Sequence, residues 1–71
     1  MFKIELTLRN SDAELFVQRK SEEDANTLYE TILQAMSGDK LQILKLTCDR
    51  SPKNKMAVLN SEVIAVHLVA D

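Results

Sequence analysis

Ser21-Glu22-Glu23-Asp24-Ala25-Asn26-Thr27-Leu28-Tyr29-Glu30-Thr31-Ile32-Leu33-Gln34-Ala35-Met36-Ser37-Gly38 is the stretch that decides the fold. Ala25, Leu28, Tyr29, Ile32, Ala35 and Met36 recur at helical spacing, so a helix here carries one apolar stripe. Asn26, Glu30 and Gln34 fall on the opposite side. Ser21 supplies the hydroxyl an N-cap needs, and Asp24 three residues on makes an acidic variant of the capping box. Glu22, Glu23 and Asp24 place negative charge at the positive end of the helix dipole. Gly38 suits the left-handed position just past a helix end. The spacing predicts a helix over 22–37, about 24 Å long at 1.5 Å per residue. A single stripe on one helix must be laid against something else.

Strand patterns flank it on both sides. Over 2–9, Phe2, Ile4, Leu6 and Leu8 alternate with Lys3, Glu5, Thr7 and Arg9, the signature of a strand with one wet face. Asn10-Ser11-Asp12 is a turn cluster. Extended structure resumes over 14–19 around Leu15, Phe16 and Val17, which makes a hairpin. Downstream, 41–48 reads as a third strand, with Leu41 and Ile43 on one face and Leu44, Leu46 and Cys48 on the other. Apolar groups on both faces point to an interior position. Asp49 to Asn54 reads as a loop, because Pro52 has no N–H to give a ladder. A short fourth strand spans 55–59, and Asn60-Ser61 forms a tight turn. The fifth strand, 63–69, sets Ile64, Val66 and Leu68 against Val63, Ala65 and Val69, with His67 the one polar group on the second side. The order β-β-α-β-β-β predicts an α+β fold, a five-stranded and mostly antiparallel sheet with one helix packed on one face. A curled, barrel-like sheet with the helix as plug or lid is the alternative.

The chain has 71 residues, which is room for one domain over 1–71. It is 45% hydrophobic and 28% charged, as globular chains are. A single Gly and a single Pro leave little for irregular loops. Cys48 is the one cysteine, so no internal disulfide forms and a reducing cytoplasm is expected. The N-terminal Met1-Phe2-Lys3-Ile4-Glu5 lacks the basic and apolar blocks of a signal peptide. No apolar run approaches the roughly 20 residues that span a bilayer, so no membrane role is expected. Net charge is −2, with five basic and eight acidic residues in 1–40 and four basic and three acidic in 41–71. Neither half is basic enough to predict nucleic-acid binding from charge alone.

Four segments carry a resemblance. They are Phe2-Lys3-Ile4-Glu5-Leu6-Thr7-Leu8, Val17-Gln18-Arg19-Lys20 entering the acidic helix start, Leu46-Thr47-Cys48, and Ala57-Val58-Leu59-Asn60-Ser61-Glu62-Val63-Ile64-Ala65-Val66. Over nearly its whole length the chain resembles a family of short uncharacterised proteins of cyanobacteria and some algal plastids. That resemblance implies a phototroph cytoplasm and transfers no functional residue.

Candidate chemistry is sparse. His67 and Cys48 are single, and a catalytic pair would also need an orienting third group and an oxyanion device. The readier reading is a small buried thiol and an amphipathic residue on a sheet face. One His and one Cys cannot make a structural zinc set, and Glu22, Glu23 and Asp24 fan around the helix, so no metal is expected. Gly38 is committed to the helix end, so no phosphate-cradling loop and no cofactor are expected. Arg19, Lys20, Arg50, Lys53 and Lys55 could form a small patch that grips phosphates. Phe16 is the aromatic left over as a stacking platform for a single strand.

The most telling feature is surplus hydrophobicity. One helix covers one sheet face, yet the fifth strand is apolar on both. The leading expectation is therefore a non-enzymatic interaction or assembly module, a homodimer or a docking subunit. It would use the helix-free face at Phe16, Val63, Ala65 and Val69, or an edge strand. An RNA- or single-strand-binding regulatory domain built on the five basic residues is the alternative.

Overall fold

The computed structural model describes residues 1–12 and 14–70. Its elements are β1 (Phe2–Leu8), β2 (Glu14–Arg19), α1 (Glu22–Ser37), β3 (Ile43–Cys48), β4 (Ser51–Leu59), the 3-10 turn η1 (Asn60–Glu62) and β5 (Val63–Ala70). The fold class is α+β, as the sequence predicts. The β1–β2 hairpin closes with Asn10 at a φ of 57°, a left-handed position that Asn tolerates better than most residues. Ser21 caps α1, its Oγ accepting the Asp24 N–H at 3.0 Å, with the acidic triplet in the first turn.

The expected single sheet is two. Strands β2-β1-β5 form one antiparallel sheet and β3-β4 the other. They touch at the ends of β2 and β3, where side chains stand in for a ladder. The Gln18 N–H donates to the Cys48 Sγ at 3.2 Å, the Lys20 N–H to the Asp49 carboxylate at 3.0 Å, and the Arg19 guanidinium to the Thr47 carbonyl. One backbone bond, Asp49 N–H to Gln18 O at 2.9 Å, crosses the junction. With their groups taken this way, the strands splay instead of pairing.

Helix α1 lies mainly over β5 and β1. Ile4 and Leu6 of β1, Val17 of β2, Ala25, Ile32 and Ala35 of α1, Leu44 and Leu46 of β3, and Val63 make the core. Val63 is the fold's main departure from strand alternation. Thr7 pairs with Ala65 but Leu8 pairs with Val63, so Ile64 is an extra residue in β5. A bulge of this kind switches which side chains share a face. Val63 thereby joins Val66 and Leu68 on the core side and is 5% exposed, while Ile64 is turned out.

The β3–β4 hairpin differs from expectation in two ways. Among the described residues β3 has a ladder partner on one side alone, β4, and is not interior; Leu41 and Ile43 are exposed. β4 begins at Ser51, leaving a two-residue turn at Asp49-Arg50. Pairing still jumps from Thr47–Lys55 to Cys48–Ser51, so Pro52, Lys53 and Asn54 bulge out of the ladder, as a residue without an N–H requires.

Gly38 is not left-handed. Its φ of −81° and ψ of 153° are extended. The helix end is closed by Asn60, whose Nδ2 donates to Ala35 O and Lys40 O, both at 2.9 Å. Its Oδ1 accepts the Gln42 N–H at 2.9 Å, and its own N–H donates to Gln42 O at 3.0 Å.

Candidate functional site

Splaying β2 from β3 opens a cleft of about 380 Å³. Its floor is the helix-free side of the first hairpin. Lys3 pairs with Gln18 and Glu5 with Phe16, so Lys3, Phe16 and Gln18 share that side. Its wall is the start of β4 and the turn before it, with Arg50 and Lys55. No acidic side chain lines it among the described residues. Phe16 is 49% exposed, and Lys3 Nζ lies 5.1 Å from its ring centroid, a cation–π contact. Lys3 also sits 3.8 Å from Glu5. Among the described residues Arg50 and Lys55 have no carboxylate partner, so their charge is uncompensated.

Cys48 lines the same cleft, half-buried and reduced. Burial pushes its thiol pKa up, but backbone N–H groups of Gln18, Arg50 and Ser51 and the Arg19 charge outweigh that and hold it below the usual thiol value. His67 does not meet it. β1 and β2 stand between β5, which carries His67, and β3, which carries Cys48. His67 instead faces Glu5 across the β1–β5 pair. The Cys–His pair is therefore not assembled. No group of three or more His, Cys, Asp or Glu able to hold a metal is found among the described residues.

The five basic residues divide. Arg50 and Lys55 reach the cleft. Arg19 does not. Its guanidinium donates to Gln18 O at 3.0 Å and to Thr47 O, lies 4.0 Å from Asp49, and its side chain is largely buried. It joins the two sheets. Lys20 and Lys53 are exposed and line no part of the cleft.

The four apolar candidates divide as well. Val63 is a core residue and belongs to no surface. Ala65 faces Thr7 and Val69 faces Lys3 on the helix-free side, next to Glu5 and His67. That face is therefore mixed, with alternating polar and small apolar groups. Phe16 sits two strands away, on the cleft. The sequence reading missed Lys3, which looks like one more polar residue on a wet strand, and Gln18. The hairpin register that sets both beside Phe16 is the available signal.

These features define a small α+β domain, two antiparallel sheets and one helix, with a basic cleft where the sheets part. The chain belongs to the UPF0367 protein family, which matches residues 3–70. The UPF0367 protein of Gloeobacter violaceus is 44% identical over 70 residues, covering 99% of this chain and 75% of that protein. That of Synechococcus sp. strain CC9902 is 47% identical over 68 residues, 96% of this chain and 78% of that protein. That of Synechocystis sp. is 42% identical over 66 residues, 93% and 71%. The resemblance read from the strand and turn segments is thus shown for cyanobacteria, and the family's name assigns no activity. No solved structure matches the chain.

Proposed function

We propose that the chain is a non-enzymatic assembly module that pairs through the free edge of β5, as a homodimer with two copies of β5 antiparallel across a two-fold axis. One observation carries this reading. β5 is an eight-residue edge strand, VIAVHLVA, with a ladder partner on one side only among the described residues. Edge strands in soluble proteins are ordinarily blunted by lysine, proline or inward charge. β5 has none of these, and its open-face residues Ala65 and Val69 suit a joint between copies. The bulge at Ile64 lies at one end and leaves the segment from Ala65 regular. A two-fold centred on a residue, Val66 or His67, keeps like faces together, since a one-residue slip exchanges them.

Light scattering at high micromolar concentration tests the reading. The expected mass is that of two chains. Ala65→Lys, at an exposed position that removes no core group, is expected to give a monomer with an unchanged helix signal in circular dichroism. A wild-type protein that is strictly monomeric overturns the proposal. A dimer that persists in Ala65→Lys takes the joint away from β5.

A further inference from the structure

Gln18 is an unusual residue in this chain. It is 7% exposed, yet its side-chain amide has no hydrogen-bond partner among the described residues. Among the described residues, no side-chain polar atom that is fully sealed from solvent lacks a partner. The amide therefore keeps contact with solvent, and Gln18 lines the cleft. Buried polar groups are nearly always paired, so a buried amide left open toward a cavity points to a partner supplied from outside. It offers both a donor pair and an acceptor.

Its surroundings define that partner's chemistry. Phe16, half-exposed on the same face, offers a flat apolar platform. Arg50 and Lys55 supply two uncompensated positive charges on the wall, and Lys3, whose charge is shared with Glu5 at 3.8 Å, lies on the floor beside Phe16. About 380 Å³ is the lower range of small-molecule sites and accommodates one unit of a flat ring with an attached anion. A ring to stack, polar ring edges for an amide, and phosphate for the cations belong together in a nucleotide. We propose that this cleft binds a nucleotide unit, with the base on Phe16, its polar edge at Gln18 and its phosphate between Arg50 and Lys55. The unit comes either as a free mononucleotide or as one residue of a single strand. The site lies at the β2 side of the three-stranded sheet and β5 at the other, so this inference stands or falls independently of the pairing of β5.

Two titrations test it. In one, a labelled mixed-sequence single-stranded RNA is followed by fluorescence anisotropy at low salt. In the other, adenosine monophosphate is followed by backbone amide NMR shifts. Saturable binding of either, with shifts at Phe16, Gln18 and Arg50, supports the site. Binding of the strand alone makes the single strand the source, and equal affinity for both makes it the free nucleotide.

Arg50→Glu with Lys55→Glu, both at exposed positions, is expected to weaken binding at least about tenfold. It is also expected to flatten the salt dependence, by about 0.7 in log–log slope for each phosphate the cleft no longer neutralises. Phe16→Ala is expected to weaken binding about tenfold with the salt slope unchanged. Gln18→Leu is expected to lower affinity without lowering the unfolding midpoint, because it removes an amide that bonds to none of the described residues. No saturable binding of either probe overturns the proposal. So does unchanged affinity in the double variant, or a Gln18→Leu protein that loses stability and keeps its affinity.

Discussion

Two junctions tie the β3–β4 hairpin to the rest of the chain, and they are built on opposite plans. At the Asn60 end, one buried residue satisfies four backbone groups: its side-chain amide meets Ala35 O at the helix end, Lys40 O and the Gln42 N–H, and its own backbone N–H meets the Gln42 C=O. Asn60 is 5% exposed, and the polar atoms of its amide are matched. At the Cys48 end, a thiol, a guanidinium and a carboxylate do most of the joining beside one backbone bond, and none of the three residues is fully buried. The first junction excludes water and fixes one arrangement. The second holds two strands apart and leaves a cleft. A fully satisfied buried network rigidifies, while a charged and partly solvated one tolerates space beside it.

The largest effect is therefore expected from Asn60→Leu. It removes both donors and the acceptor at once and leaves one buried carbonyl, Ala35 O, and a part-buried carbonyl and N–H, at Lys40 and Gln42, unmatched. Each such orphan costs about 1–3 kcal/mol, so a loss of about 3–5 kcal/mol is expected, close to the whole stability of a small domain. Urea unfolding followed by circular dichroism measures it. A cost below about 1 kcal/mol would mean that water replaces the amide and that the two junctions are alike.

A middle effect is expected at the other end. Arg19→Ala removes donors to two carbonyls but leaves groups that solvent can reach, so the expected cost is about 1–2 kcal/mol. It also removes a positive charge that lowers the Cys48 thiol pKa. That pKa, read from thiolate absorbance against pH, should lie below the ordinary thiol value in the wild type and rise in Arg19→Ala. The sign for stability follows. A depressed folded-state pKa contributes stability above the unfolded thiol pKa, and the contribution is lost as pH falls through the folded value. Wild type should therefore gain stability relative to Cys48→Ser toward alkaline pH and match its pH dependence on the acid side. A thiol that titrates alike in Arg19→Ala and wild type would remove Arg19 from the cause.

The contrast also explains what can be read from the chain. β1 and α1 are legible because each repeats its own period over several residues, and Ser21 marks a helix start through local bonding alone. The parity of β5 is not legible. A single extra residue at Ile64 moves Val63 into the core, and it is placed by the β1 ladder, not by anything in 63–70. Asn60 reads as an ordinary turn residue because its three partners lie 18 to 25 positions away. In the cleft, Arg50 and Lys55 stand out by their charge. Arg19 stands out for the same reason and is a strut. Charge shows in a sequence; the carbonyls that a guanidinium finds do not.

The smallest expected effect gives the sharpest test of the Asn60 junction. A glycine just past a helix ordinarily supplies a left-handed turn, and replacing it by alanine then destabilises. Gly38 is extended instead, because Asn60 closes the helix end from across the fold. A Cβ added at Gly38 would meet Gln34 O at 3.6 Å and Ala35 O at 3.8 Å, ordinary van der Waals distances. Gly38→Ala should therefore keep the native structure and raise stability by about 0.4–1 kcal/mol, through lost freedom in the unfolded chain. In Asn60→Ala, if it folds enough to measure, the helix end loses its distant cap and a local left-handed closure becomes useful. There the same Gly38→Ala change should help less or do harm. A Gly38→Ala protein that is destabilised in the wild-type background would show that the helix end visits the left-handed form, and that Asn60 does not hold that corner alone.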